Sequence, residues 1–298
     1  MYTIYTLLIM IGDIALVLFA PFLIVRIICS VLLGLLMVRM FIIYHDYEHH
    51  AILYKSPLAR ILMPIYGAYV LNPESIWKRS HDHHHKHNSK LFASSIGSYL
   101  IVTKSKFMSM SKSEQRIYLA SRHPLIIVFG YFFIFMIGMC LMSFISNPRK
   151  HFDSLLALIA HFAIAFVLVW FMGWQAWLLA MFIPFMISSA MGAYLFYAQH
   201  NFPGASFSDN GEWAYEKAAM ESSSFMDTTR IMHWFTGNIG YHHIHHLNSR
   251  IPFYRLREAM KGIPELQNVK STTLSPKDII ACLRLKVWDQ DRGKMVHI

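Results

Sequence analysis

Four apolar runs are each about long enough to cross the hydrocarbon core of a bilayer, which needs roughly 20 residues. They cover residues 3–20, 22–44, 155–172 and 178–198. The first run has no basic segment before it and no clear small-residue cleavage site after it, so it is interpreted as a retained helix and not a signal peptide. With 55% hydrophobic and 15% charged residues, the sequence predicts an all-α integral membrane protein with about four transmembrane helices.

The histidines are unusually crowded for such an apolar chain. Of the 18 histidines, 13 lie in residues 45–50, 81–87, 199–200 and 241–246. Neutral imidazole is the commonest metal ligand in proteins. Crowding imidazoles at the ends of membrane helices therefore indicates a metal site.

The spacing of these histidines selects nine candidate ligands. His45 and His49 are four residues apart, and two further stretches offer histidines at positions i, i+3 and i+4, which share one helix face. The nine candidates are His45, His49, His81, His84, His85, His200, His242, His245 and His246. Nine exceeds the four ligands of a closed structural zinc site. They suit two ions with four or five ligands each, which leaves room for water or dioxygen.

Imidazole binds zinc, copper, iron and nickel, so ligand type alone does not select the metal. An open, nitrogen-rich site for two metals favours redox chemistry with iron.

Asp46, Glu48 and Asp82 lie within the histidine stretches and could orient ligating imidazoles through hydrogen bonds. The adjacent His50, His83, His87 and His243 are expected to orient the ligands or to face solvent, because only one side of each helical stretch can face the metals.

Other features of the sequence exclude several functions. The remaining histidines, at positions 123, 151, 161, 233 and 297, are interpreted as ordinary polar residues. Three widely spaced cysteines form neither a disulfide framework nor a cysteine metal site. The net charge of +10 fits positive-inside topology and attraction to anionic headgroups. No basic surface domain is present, so we expect no nucleic-acid partner.

The topology follows from the distribution of basic residues and from the number of membrane crossings between the histidine stretches. Residues 86–123 are basic and are predicted to be cytoplasmic. If His200 joins the earlier histidines, an even number of crossings must separate them. Residues 155–172 and 178–198 then form a hairpin with an external loop at 173–177, and residues 124–145 dip into the membrane and return or lie on its surface. The short apolar stretch 58–72 is interpreted as interfacial or re-entrant, and Arg39 is expected to snorkel to the interface.

The chain resembles the membrane-bound fatty acid desaturases, which carry histidine boxes of the types HxxxH, HxxHH and HxxHH. Here the boxes are His45–His49, His81–His85 and His242–His246. The segments 196–202, 236–241 and 247–256, which flank His200 and the third box, are similar to bacterial and plastid-type acyl desaturases. The resemblance covers most of the chain from about residue 41. Asn238, in one of these segments, joins Asp46 and Asp82 as a candidate for orienting the ligands.

The resemblance implies oxygen-dependent desaturation by two iron ions, with dioxygen as co-substrate and no catalytic residue beyond the metal ligands. The product would carry a cis double bond in a membrane lipid or an acyl thioester. The chain departs from the family at Pro203-Gly204, where relatives often carry an acidic residue. It also has no fused cytochrome segment, so electrons are expected from a separate ferredoxin or cytochrome. The basic residues Lys78, Arg79, Lys104 and Lys106 could dock this donor or contact anionic lipid.

The predicted organisation is a single membrane desaturase domain over residues 1–298. Residues 3–44 form a helical hairpin, residues 45–123 carry boxes 1 and 2, and residues 124–198 are membrane segments. Residues 199–298 form a cytoplasmic helical region with box 3 and the tail. Ser275-Pro276 predicts the start of a surface helix over 277–287. The expected location is a bacterial inner membrane, with the site on the cytoplasmic side.

Two alternatives remain open at this point. A hydroxylase or ketolase of the same superfamily, acting on a lipid or carotenoid, would use the same boxes and insert oxygen. A histidine-rich metal transporter would place its ionisable residues inside the spans along a path. The boxes lie at span ends and in polar segments, which argues against transport.

Overall fold

The computed structural model describes residues 1–91, 99–209 and 211–298. In these ranges the chain is mostly helical, as predicted. The helices are α1 (Tyr2–Phe19), α2 (Leu23–Glu48), α3 (Pro57–Tyr69), α4 (Glu74–His87), α5 (Lys104–Ser109), α6 (Lys112–Ala120), α7 (Pro124–Val128), α8 (Ser143–Ser146), α9 (Phe152–Met172), α10 (Trp174–Trp177), α11 (Ile183–Ala198), α12 (Tyr215–Glu221), α13 (Arg230–Phe235), α14 (His242–Leu247), α15 (Leu256–Gly262) and α16 (Pro276–Arg284).

Shorter elements complete the described chain. Two π-helical segments, Tyr131–Met142 and Leu178–Phe182, lie before α8 and α11. Two 3-10 turns, Phe253–Arg255 and Pro264–Gln267, flank α15. The strands are β1 (Phe225–Asp227), β2 (Ser271–Thr273), β3 (Val287–Asp289) and β4 (Lys294–Val296), which the sequence did not predict.

Four helices are long and apolar enough to cross a membrane: α1, α2, α9 and the continuous helix formed by α10, the second π-helical segment and α11. The predicted number of about four transmembrane helices is therefore confirmed. On α9, Trp170 and Phe171 are 72% and 76% exposed, as expected of side chains that face lipid. The chain between α7 and α9 forms a shorter apolar helix, Tyr131–Ser146, and its re-entrant or surface path stays a prediction.

The loop predicted at 173–177 is in fact a single residue. Gly173 adopts φ +82°, and α10 begins at the next position. Glycine has no Cβ and therefore reaches this left-handed backbone region at little steric cost. Gly173 alone joins the two membrane helices, in place of the predicted connection over 173–177.

The described chain divides into two compact units. Unit 1 comprises residues 1–78, 128–193 and 234–237. Within it, α1 and α2 form the predicted hairpin, and Arg26 Nε on α2 donates to the carbonyl of Val17 at 2.7 Å. Gly34 permits close packing of α2 on α11, because an added Cβ would lie 2.8 Å from Cβ of Ile187. Small residues at such contacts are typical of helix packing in membranes.

Arg39 does not snorkel to the interface as predicted. Its side chain is only 4% exposed. Its Nε donates to Oγ1 of Thr6 at 3.1 Å, and its Nη1 donates to the backbone carbonyl of Trp234. The guanidinium is held inside unit 1 because these acceptors replace its water.

Unit 2 comprises residues 79–127, 194–233 and 238–298. Strands β1 and β2 pair in parallel, and β3 and β4 pair as an antiparallel hairpin. Helix α16 begins where predicted, with Oγ of Ser275 accepting from the backbone N–H of Asp278. It ends at Arg284 and not at Val287, because Val287 begins β3.

Candidate metal centre

The second histidine box lies on the last turns of α4. Asn72 and Pro73 precede this helix, and the acidic Glu74 occupies its first turn, where the helix dipole favours negative charge. His81 and His85 are one turn apart, and their Nε2 atoms are 3.2 Å apart. His84 is on an adjacent face, and all three imidazoles are buried. The predicted spacing therefore gives α4 two distinct ligand faces.

The third box forms α14, a helix of only six residues. So short a helix is unstable alone, and tertiary contacts hold it. Tyr241 and Ile244 pack in a cluster with Leu256 and Leu266. At its carboxyl end, Tyr215 donates its hydroxyl to the carbonyl of His246 at 2.5 Å, which satisfies one of the helix's otherwise unpaired carbonyls.

His200 follows the end of α11 and joins the two boxes. Its Nδ1 lies 3.0 Å from the carbonyl of Ser222. A carbonyl can only accept, so Nδ1 carries the proton and Nε2 keeps a lone pair for a metal. Nε2 lies 3.0 Å from Nε2 of His84 and 2.8 Å from Nε2 of His242. Burial lowers the pKa of His200 to about 4, so the ring is neutral at pH 7.

Four imidazoles of unit 2 converge as a first group, with nitrogen atoms that all lie within 4.8 Å of one another. They are His84, His200, His242 and His246. Nitrogen ligands about 2.0–2.1 Å from one ion lie about 3 Å apart, which is close to the Nε2 separations found here. Burial, and then the neighbouring imidazoles, hold the pKa of His246 well below its usual value. His200 and His246 therefore offer neutral imidazoles.

Three further imidazoles of unit 2 form a second group beside the first. Nε2 of His85 is 3.0 Å from Nε2 of His245 and 3.2 Å from Nε2 of His81. The structure thus brings together seven of the nine predicted ligands within one unit. Both α4 and α14 contribute to each group, because histidines at i and i+4 face one side and the intervening histidine faces the other.

The first box lies in unit 1, at the end of α2. This helix continues through His45 to Glu48, beyond the apolar run that ends at residue 44. The ring centroids of His45 and His49 are 4.7 Å apart. Nδ1 of His45 lies 3.2 Å from Oδ1 of Asp46, and the Trp77 ring packs on His45 at 5.8 Å. Burial, followed by the charge of nearby groups, keeps the pKa of His49 well below its usual value.

The predicted orienting residues have different surroundings. Asp46 contacts His45 as described, whereas Asp82 is half-buried on α4. Asn238 acts on the backbone: its Nδ2 donates to the carbonyl of Phe253 at 3.0 Å, and its carbonyl accepts from the N–H of Tyr241. Asn238 adopts φ +55°, a left-handed conformation that asparagine tolerates. It therefore shapes the turn that leads into α14.

The histidines outside the nine are held in other ways. His243 is fully buried and so does not face solvent: its Nε2 lies 3.1 Å from the carbonyl of Leu266. His83 and His87 stack at 4.0 Å, and His50 is exposed. No feature of the sequence indicates the His243 contact, because its partner lies in a distant turn.

A small pocket in unit 2 opens beside the first group. His84 and His200 line it, together with apolar side chains such as Phe196 and Ile101. Tyr99 also lines it, and its hydroxyl oxygen is buried without a hydrogen-bond partner in the described ranges. Burial raises the pKa of Tyr99, so the phenol stays protonated and can donate.

Four helices of membrane length and a buried cluster of histidines define a membrane protein with a centre that could hold metal. The family model for "Fatty acid desaturase" matches residues 21–270. The chain is 32% identical to a "Fatty acid desaturase" of Bacillus subtilis (strain 168) over 259 residues, which cover 87% of this chain and 73% of that protein. It is 25% identical to an "Acyl-lipid (9+3)-(E)-desaturase" of Dimorphotheca sinuata over 251 residues, which cover 78% and 65%.

The chain therefore belongs to the fatty acid desaturase family and is an oxidoreductase. The resemblance inferred from the three boxes is confirmed.

Proposed function

We propose that the protein inserts a double bond into a fatty acyl chain, with two iron ions and dioxygen. Two hydrogens leave adjacent methylenes, and with two electrons and two protons they reduce one dioxygen to two waters. Iron, when bound, supplies the oxidising power that an unactivated C–H bond requires. The chain's own residues hold the ions, exclude water and fix which carbon faces them.

The observation that carries this proposal is the division of ligands on α4. His84 belongs to the group with His200 and His242, whereas His81 and His85 belong to the group with His245. A single ion does not need ligands on two faces of the same helix. Because α14 divides its histidines in the same way, two ions side by side explain the arrangement.

We propose that His45 and His49 complete the second group. In unit 1 the ring of His45 packs on Trp77. His81 follows Trp77 on α4 by four residues, on the same helix face. The second group then has five nitrogen ligands and the first has four, as the sequence predicted.

The donor set fits iron. All nine ligands are imidazoles, which bind iron as well as zinc or copper, and burial keeps His200 neutral at physiological pH. Four or five nitrogens leave coordination positions open, which oxygen chemistry needs and a closed structural site does not have. The buried surroundings limit the access of water to the centre.

The remaining parts of the proposal rest on the distribution of charged residues and on membership of the desaturase family. The acyl chain is carried as a membrane lipid or an acyl thioester, and electrons come from a ferredoxin or cytochrome. The positive-inside rule favours the cytoplasmic side of a bacterial inner membrane for the centre. Lys78 and Lys104 pair with Glu48 and Asp289, so Arg79 and Lys106 are better placed to meet an acidic donor.

Fatty acid profiling of a bacterial host that expresses the protein tests the proposal. We expect a new double bond at one position, in the cis configuration. The relative whose name specifies an (E) double bond makes the configuration a necessary measurement. A new hydroxyl or keto group without a double bond would instead indicate a hydroxylase or ketolase, and metal uptake without any lipid product would indicate a transporter.

A further inference from the structure

Arg39 makes an unusual set of contacts inside a helix that can cross the membrane. Its guanidinium lies 4.1 Å from the centroid of the Trp234 ring and also donates to the Trp234 carbonyl. Its Nε donates to Thr6 Oγ1 at 3.1 Å. A buried charge in a membrane helix is costly, and such charges commonly have a functional role.

The segment 234–237 is held against α2 at a second point. Gly237 adopts φ +53°, and an added Cβ would lie 2.8 Å from Cγ2 of Ile42. Only a residue without a side chain tolerates both this conformation and this approach. Ile42 lies three residues after Arg39 on α2, so Trp234 and Gly237 are fixed along one stripe of the helix.

Each end of this contact leads directly to a histidine box. Continuing along α2, His45 follows Arg39 by six residues and His49 by ten. Continuing from the held segment, His242 follows Gly237 by five residues. The turn between them is itself ordered, since the N–H of Asn238 donates to the carbonyl of His233 and the carbonyl of Asn238 accepts from Tyr241.

We propose that Arg39 is a positioning residue that fixes the segment 234–237 and, through it, the start of the chain that leads into the third histidine box. It acts through the Trp234 backbone and ring. Because the guanidinium is planar, it can donate to a carbonyl and stack on an indole at the same time, which an ammonium group cannot do equally well. The inference rests on the proposed centre for two metals.

The test compares two arginines of the same helix. Arg39→Met removes the contact with Trp234. Arg26→Met is the matched control. Arg26 also donates from α2 to α1, to the Val17 carbonyl, but this hydrogen bond does not involve residues 234–237. Each purified variant is loaded with Fe2+ and assayed for bound metal. Each is also loaded with Co2+, whose visible absorption reports ligand geometry. Size-exclusion elution and helical circular dichroism check folding.

We expect wild type and Arg26→Met to bind two metal equivalents with the same Co2+ spectrum. Arg39→Met should bind about one equivalent, with a changed spectrum and at least 10-fold less desaturated product. Arg39→Lys should recover part of the metal binding. Two equivalents and an unchanged spectrum in Arg39→Met would overturn the proposal, as would an equal loss in Arg26→Met. A wild-type protein that binds no metal would contradict the proposed function instead.

Two milder variants keep the test informative if Arg39→Met does not fold. Thr6→Val removes the hydrogen bond from Arg39 to α1 and should leave metal binding unchanged. Trp234→Leu removes the ring but keeps the carbonyl, and should lower metal occupancy to an intermediate value. If Thr6→Val lost metal and Trp234→Leu did not, packing of α1 on α2 would explain Arg39, and the positioning role would be wrong.

Discussion

Nε2 of His84 lies 3.0 Å from Nε2 of His200, although 116 residues separate them in the chain. Residues 79–87 of α4 and the end of α11 both belong to unit 2, and the Ser222 carbonyl fixes the tautomer of His200. His200 has no histidine neighbour in the sequence that would mark it as a ligand by spacing. Its position beside His84 and His242 makes it the link between the second and third boxes.

Replacing His200 should therefore empty one group and leave the other occupied. We expect His200→Ala to bind about one metal equivalent where wild type binds two, and to lose product at least 100-fold, since even residues that only orient ligands are worth about 10–100-fold. Metal analysis and fatty acid profiling measure both effects. The control is His297→Ala, because His297 is exposed near the end of the chain. Two bound equivalents in His200→Ala would contradict the assignment.

The buried His243 should make the metal-free protein sensitive to acid. Burial lowers its pKa to about 4, whereas the unfolded pKa is about 6.5. Between these values the unfolded state binds more protons, so stability falls as pH decreases from about 6.5 towards 4 and is retained in full above that range. At pH 5 the loss attributable to His243 is about 2 kcal/mol.

His243→Gln isolates the contribution of His243 to the pH dependence of stability. Glutamine keeps an N–H for the Leu266 carbonyl and cannot be protonated in this pH range. We expect thermal unfolding of the two metal-free proteins in detergent to be similar at pH 7.5. At pH 5 the variant should unfold about 5 °C higher than wild type. Equal acid sensitivity in both proteins would show that other histidines account for it.

Periodic features of the sequence predicted much of the fold and most of the candidate site. The length of the apolar runs predicted four membrane helices, because the thickness of the hydrocarbon core sets the length of a helix that crosses it. The i, i+3, i+4 spacing identified His81, His84 and His85, because residues at this spacing are neighbours on a helix surface. Seven of the nine predicted histidines come together in unit 2, although their role as metal ligands stays a prediction.

Features that depend on distant partners could not be predicted in this way. Arg39 and Trp234 are 195 residues apart, and His243 contacts a turn that carries no recognisable signal. The one-residue turn at Gly173 was missed because Trp174 to Trp177 are as compatible with a loop as with a helix. In each case the deciding interaction is tertiary, and local spacing carries no information about it.

Asn238 should control the entry into the third box through its backbone. Replacing it with alanine removes the bond to Phe253 and places an ordinary residue at φ +55°, for a total cost of about 2 kcal/mol. Glycine accepts the conformation and loses only the bond, so Asn238→Gly should cost about 1 kcal/mol. The thermal unfolding temperature should fall in the order wild type, Asn238→Gly, Asn238→Ala. Metal content should follow the same order. A more stable alanine variant would show that the conformation is not what the position requires.

Tyr99 provides a final test, of the pocket beside His84 and His200. Its hydroxyl is buried without a partner among the described residues, and an unmade hydrogen bond there costs about 1–3 kcal/mol. Its ring is held edge-on to Tyr197 at 4.9 Å, and Arg122 donates to the carbonyl of Leu100, which fixes the adjoining backbone. The hydroxyl is therefore preorganised to donate to an acceptor that enters the pocket.

If that acceptor is the carbonyl of the acyl substrate, Tyr99→Phe should raise KM about 5–10-fold and leave kcat nearly unchanged, since one neutral hydrogen bond contributes about 1 kcal/mol. Tyr194→Phe is the matched control, because its hydroxyl oxygen is also buried and Tyr194 does not line the pocket. Assays with an acyl phospholipid and with an acyl thioester separate the two carriers: the change in KM should appear only with the carrier that the protein uses. An unchanged KM with both carriers would mean that the substrate carbonyl lies elsewhere.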